Sequence, residues 1–164
     1  MRVLGLDPGL TCAGFGLVDE EGGRTRAVAY GAIRTARVAV PHRLSSLYDR
    51  LRALVDEHRP EAIAVERVLF NANTRTAMSV GQAAGIALLV AAQCGCDVAE
   101  YTPNEVKLAI TGDGAADKGQ MQLMIGRLLS IDPPSPPDAA DALGLALTHL
   151  RHGKLRRLRE AAGA

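Results

Sequence analysis

At 164 residues and 48% hydrophobic content, the chain has apolar mass for one core and no length for a second. A net charge of +1 marks neither a strongly basic nor a strongly acidic partner, and the odd cysteines Cys12, Cys94 and Cys96 fit neither a disulfide framework nor a pair of zinc ligands, so buried free thiols are expected. No segment reads as long and apolar enough to cross a bilayer, and the N-terminus enters a strand pattern with no signal sequence ahead of it, so a cytoplasmic protein without membrane contact is expected.

In chain order, residues 2–7, 12–18 and 26–34 read as three strands joined by the turn signals "DPG" and "EEGG", which predicts an antiparallel meander. After Pro41, Leu44, Leu47, Tyr48, Leu51, Leu54 and Val55 recur at helical spacing, and "PEAIAVE" then gives a short buried strand ending in Glu66. A long helix is predicted from Thr74 to Cys94, and "CDVAEY" supplies a fifth strand. "TPNE" is a capping box with Pro103 at the first helical position, and "DKGQ" resembles another. "PPSPPD" halts the chain before a last helix with Leu143, Ala146, Leu147 and Leu150 on one face; Ser135 is its expected N-cap and Asp138 its N3 residue. The fold class is α/β, a mixed five-stranded sheet flanked by helices. One domain spans residues 1–152, followed by a basic tail over 153–164; from His149 onward Arg151, Lys154, Arg156, Arg157 and Arg159 face Glu160 alone.

Carboxylates gather at element ends. Asp7 closes the first strand, on the face shared by Val3 and Gly5, and the following Pro-Gly suits a type II turn that throws the chain back. Glu66 closes another buried strand, and Asp138 and Asp141 in "DAAD" lie three residues apart, projecting to one side of the last helix. Each also has a structural reading: Asp7 as a turn residue, Glu66 as a solvated strand end, and Asp138 as a favourable charge at a helix N-terminus. If the two strands are neighbours and the last helix crosses them, four acids converge with no basic residue in the same motifs, and their repulsion calls for cations. Hard oxygen donors without His or Cys suit Mg²⁺ or Mn²⁺, and a pair of such ions about 3.5–4 Å apart is the clamp of phosphodiester hydrolysis.

The segments "LGLDPG", "AVERVL", "GQAAG", "TPNEVK", "GDGAADKGQM" and "DAADALGLALTH" resemble, in order and spacing, the RuvC family of bacterial Holliday-junction resolvases. The resemblance implies a ribonuclease H-like fold, a homodimer, and paired Mg²⁺-dependent nicks in a four-way DNA junction during recombination and repair. It implies two Mg²⁺ per subunit, with Mn²⁺ as a possible substitute, held by Asp7, Glu66, Asp138 and Asp141. It implies the branch-migration proteins RuvA and RuvB as partners.

It also gives meaning to Lys107 and Lys118, which match basic positions near the scissile strand; Lys118 falls in the first turn of a helix, where the dipole disfavours a cation. The loop "NANTR", with Asn73 and Arg75, resembles the junction-contacting segment. The family's aromatic, three residues after the glutamate, is here Leu69, with Phe70 following, so either is a candidate wedge between base pairs. Gly81, Ala84, Gly85 and Leu88 place small residues at four-residue spacing, which suits close helix packing within the subunit, or, as the resemblance suggests, across a dimer. Two rivals are a ribonuclease H-like relative proposed to process ribosomal RNA, with a similar "DPG" start, and the two-domain actin and sugar-kinase group, for which the chain is too short.

Overall fold

The structure, a computed structural model, describes the backbone of residues 1–67 and 74–161 and the side chains of residues 1–67 and 77–153. Strands β1 (Arg2–Asp7), β2 (Cys12–Glu21) and β3 (Arg24–Arg34) form the expected meander, followed by helix α1 (Val40–His58), strand β4 (Ala62–Glu66), helix α2 (Thr74–Cys94), strand β5 (Asp97–Tyr101) and helices α3 (Pro103–Thr111), α4 (Lys118–Leu129) and α5 (Pro137–Ala161). The five strands make one sheet in the order β3-β2-β1-β4-β5, with β1 and β2 antiparallel and β1, β4 and β5 parallel.

The side-chain alternation of the strands sorts the core into two layers. Leu4, Leu6, Ala13, Leu17, Ile63 and Val65 pack against α1 and α2 on one face. Val3, Val18, Ala62 and Ala64 pack against α3, α4 and α5 on the other. Here the floor of the sheet is glycine: Gly5 pairs with Gly16, and Asp7 with Gly14. A Cβ on Gly5 would stand 1.8 Å from the Ala142 carbonyl oxygen, and one on Gly14 2.0 Å from that of Asp138. The backbone of α5 therefore rests directly on the backbone of β1 and β2, a proximity only glycine permits.

At the end of the sheet where β1 begins, charges are paired. Asp19 accepts hydrogen bonds from Arg2 Nε at 2.6 Å, Arg2 Nη2 at 3.0 Å and Arg26 Nη2 at 2.7 Å. The Arg2 hydrogen bonds hold the Asp19 carboxyl below its usual range.

Several expectations need correction. β2 runs on to Glu21 and β3 starts at Arg24, because Gly22 and Gly23, both at positive φ, make a two-residue turn and the Asp19–Arg26 pair keeps polar strand ends in register. The last helix begins at Pro137, so Ser135 lies outside it and Asp138 is its second residue; a proline at the first helical position needs no N–H partner and fixes the start. The same helix continues unbroken to Ala161, through most of the segment read as a tail. The cysteines are free but only partly buried. One helix does meet the length and composition of a membrane span: Ala77–Cys94 in α2, with a mean hydropathy of 1.5, because one side of it faces the core and the other carries apolar residues outward.

Candidate active site

Asp7 and Glu66 arrive by sheet register. β1 and β4 run parallel with Leu6 opposite Val65, so the next residue on each strand is an acid, at the carboxyl end of the sheet and on the face covered by α5. Asp138 and Asp141 arrive by helix docking, since Gly14 and Gly5 let the first turns of α5 descend onto the strands that carry Asp7. The four acids singled out by sequence are thus brought to one place by three elements, β1, β4 and α5, with glycines of β1 and β2 letting the helix down onto the sheet.

Electrostatics record their proximity. Burial, followed by the charges of Glu66, Asp141 and Asp138 and by side-chain hydrogen bonding with Glu66, pushes the Asp7 carboxyl up to about 7. Glu66 is raised by burial and by the charge of Asp141, against side-chain hydrogen bonding with Asp7 and the pull of Lys118. Asp141 is raised by burial and by Asp138, while Lys118, with Nζ 3.8 Å from Asp141 Oδ2, opposes the rise. Among the described residues, no group of three acidic, His or Cys side chains is drawn close enough to enclose an ion as it stands. Asp7 turns to Glu66, Asp141 to Lys118, and Asp138 accepts the Cys12 thiol at 3.4 Å.

Beside the acids lies a cleft of about 200 Å³ between α3, α4 and α5, lined by Glu66, Lys107, Lys118, Asp141 and the apolar Val106 and Met121. Both flanking helices are capped as expected. Thr102 Oγ1 accepts from the Glu105 N–H and the Glu105 carboxylate accepts from the Thr102 N–H; Asp117 and Gln120 make the same reciprocal pair. The second cap places Lys118 at the first residue of α4, and its side chain is 84% exposed. Leu69, Phe70 and Asn73, and the side chain of Arg75, lie outside the described residues.

Cys12 and the glycines Gly14 and Gly16 were not singled out as site residues by sequence. The glycines had a signal in "GFG", two glycines alternating along a strand, which marks a close backbone approach on one face. Cys12 had none, because its neighbour Asp138 is 126 positions away.

An acid set of hard oxygens, buried enough to be raised in pKa and opposed by one nearby lysine, fits divalent cations of the Mg²⁺ type. Residues 3–149 match the family model for crossover junction endodeoxyribonuclease RuvC. The chain is 51% identical over 159 residues to the crossover junction endodeoxyribonuclease RuvC of Salinispora arenicola, covering 95% of this chain and 91% of that one. It is 46% identical over 157 residues to the protein of that name from Syntrophomonas wolfei, covering 94% and 91%. Among solved structures it resembles T. thermophilus RuvC in complex with Holliday junction substrate, with a TM-score of 0.90, 34% identity, and coverage of 94% and 96%. The yeast mitochondrial Holliday junction resolvase Ydc2 shares the fold at a TM-score of 0.68 and 14% identity, over 96% of this chain and 83% of that one. The sheet and its flanking helices are ribonuclease H-like.

Proposed function

The chain belongs to the RuvC family of crossover junction endodeoxyribonucleases, and from that premise we propose how its site works on its substrate. It is a structure-specific endonuclease that resolves four-way DNA junctions by hydrolysing phosphodiester bonds, in homologous recombination and repair. The observation that carries the site assignment is the convergence of Asp7, Glu66, Asp138 and Asp141 at one end of the sheet, with Lys107 and Lys118 on the adjoining cleft.

Asp7, Glu66, Asp138 and Asp141 would hold two Mg²⁺ ions, with Mn²⁺ as a substitute, which when bound activate water and stabilise the leaving oxygen. The acids are carried by two strands and a helix, so only their side chains would have to turn from their present partners to meet the ions. Lys118 and Lys107 project from helices α4 and α3 into the cleft, where a scissile phosphate set against the acids meets two cations that offset its growing negative charge. Lys118 exchanges its contact with Asp141 for the phosphate. Leu69 or Phe70 parts base pairs near the junction centre, and Asn73 and Arg75 contact the strands beside it.

The protein works as a homodimer, as two opposed nicks require two sites. Support comes from α2, whose exposed side carries Met78, Leu88 and Leu89, with Gly81 and Gly85 open to close approach. RuvA and RuvB are its branch-migration partners, its location is the cytoplasm, and residues 1–152 form the nuclease domain.

The test is incubation of purified protein with a synthetic four-way junction, with and without Mg²⁺, alongside structured RNA. Cleavage of the junction that stops on chelation is expected, and cleavage of the RNA alone would replace this reading with that of an RNA-processing relative.

A further inference from the structure

From Arg34 to Tyr48 the chain carries Arg34, Arg37, His42 and Arg43 and no acid. Register places this run beside the site. Arg34 ends β3 opposite Cys12 on β2, and Cys12 donates to Asp138. One strand, β2, separates Arg34 from the strand of Asp7, two strand spacings or about 10 Å in all. Because Arg34 pairs with Cys12, and Cys12 lies two residues before Gly14, its side chain leaves the sheet on the face of α5 and the acids.

Lys107 and Lys118 share a cleft with Glu66, the last residue of β4, and Arg34 lies toward the other edge, past β2. The acids therefore sit between two basic flanks.

The arginines are not spent on ion pairs. Among the described residues, Arg34, Arg37 and Arg43 have no salt-bridge partner, and Arg34 and Arg37 are exposed. Arg43 donates from Nε to Thr35 Oγ1 at 3.0 Å and from Nη2 to Thr11 Oγ1 at 2.7 Å. Both acceptors are neutral hydroxyls, so the guanidinium is held in place with its charge uncompensated and with N–H donors to spare. Thr35 is itself anchored, donating to the Leu10 carbonyl at 2.6 Å. A fixed, uncompensated guanidinium beside two exposed ones suits successive phosphates of a nucleic-acid backbone.

We propose that Arg34, Arg37 and Arg43 form a second phosphate-binding flank, gripping the cut strand on the side of the scissile bond opposite to Lys107 and Lys118. The proposal rests on the junction-cleavage reading above and extends it: the strand crosses the end of the sheet from the α3–α4 cleft, over the acids, to the outer edge at β3. A backbone so held cannot slide past the acids, which fixes the bond that is cut.

The test uses the full-length protein carrying Asp7→Asn, so that the DNA stays intact, and four-way junctions bearing a single neutral methylphosphonate at successive positions on either side of the cut. Adding Arg34→Ala and Arg37→Ala should raise the Kd for the unmodified junction about tenfold or more at 0.1 M salt, and reduce the slope of log K against log salt by about 1.5. Methylphosphonates on one side of the cut should weaken the parent and leave the arginine variant unaffected, while those on the other side weaken both. With Lys107→Ala and Lys118→Ala in place of the arginine pair, the two sides should exchange roles. An arginine variant with the parent's Kd and salt slope overturns the proposal, as does one that still responds to methylphosphonates on both sides. A parent that binds the junction no better than a linear duplex overturns the junction reading itself, which separates the two failures.

Discussion

The two ends of the sheet treat their acids in opposite ways. At one end Asp19 takes hydrogen bonds from two arginines and its carboxyl is held low. At the other, the half-buried Asp7, Glu66 and Asp141 lie close together, the exposed Lys118 is the nearby cation, and all three carboxyls are raised. Both ends belong to the same strands, so the contrast is not one of fold quality. An acid that strengthens a fold is given its countercharge within the chain; the acids proposed for chemistry are left short of countercharge, a deficit that cations would fill before an anionic phosphate could approach.

The contrast breaks most sharply under single substitutions. Asp7→Asn or Asp141→Asn will abolish junction cleavage, to less than about a thousandth of the parent rate, while junction binding in a gel-shift measurement stays intact. Asp19→Asn will leave the rate within a few-fold and instead lower stability by about 1–3 kcal/mol, read by urea denaturation, because two guanidinium hydrogen bonds lose their charged acceptor. A cut by Asp7→Asn at near the parent rate would remove Asp7 from the site.

Next in size is the floor beneath the acids. Gly5→Ala forces a methyl group into the Ala142 carbonyl and must lift α5, so a loss of about 3 kcal/mol or more, with cleavage lost alongside, is expected. Gly85→Ala meets no atom within 4 Å in the subunit, so a change in its oligomeric state by light scattering would trace to a partner subunit rather than to the fold.

Lys107→Ala and Lys118→Ala should each lower kcat about 10²-fold and alter Kd by much less, if they meet charge that grows in the transition state. Equal losses in binding and rate would make them mere backbone contacts.

The smallest effect is on stability against pH, and its sign differs between the ends. Asp7 has a folded pKa of about 7, above its ordinary 3.8, so the folded state holds the extra proton in between. In chelator, its contribution to stability therefore falls as pH rises from about 4 to 7 and stays low above, by about 1–2 kcal/mol once its partial exposure is allowed for. Asp19 is depressed, so its contribution is present above its unfolded pKa and is lost as pH falls through the folded value. Melting curves of the parent minus those of Asp7→Asn should show the first trend, and added Mg²⁺ at pH 8 should raise the melting temperature of the parent more than that of the variant. An unchanged difference across that pH range would contradict the crowding of the acids.

Much of this was legible in the sequence, for identifiable reasons. Helix α1 is marked by the periodicity of its apolar residues, and the α3 and α4 starts by capping boxes whose partners lie three residues apart. Asp7 and Glu66 were legible because an acid ending an apolar strand is locally anomalous. What escaped depended on distant partners. Asp19, Glu20 and Glu21 look like loop residues until the pairing of Asp19 with Arg26 is seen, so the hairpin is longer than its local pattern indicates. Gly5, Gly14 and Gly16 become a floor only when α5 is laid on them. Ser135 looked like a cap, but consecutive prolines moved the helix start past it. Lys118 was singled out by its unfavourable helix position, yet its contact with Asp141 is set by how α4 packs on α5 and no local pattern contains it.

The glycine floor also orders events in time. As the chain leaves the ribosome, β1 and β4 can pair early, bringing Asp7 beside Glu66, but Asp141 is made 134 positions after Asp7 and α5 has nowhere else to rest than on Gly5, Gly14 and Gly16. A nascent or truncated chain that stops before Pro137 holds two of the four acids and a bare strip of strand backbone. On the proposed assignment, a chain built this way has half of its acids missing until α5 has been made and has docked on the glycines.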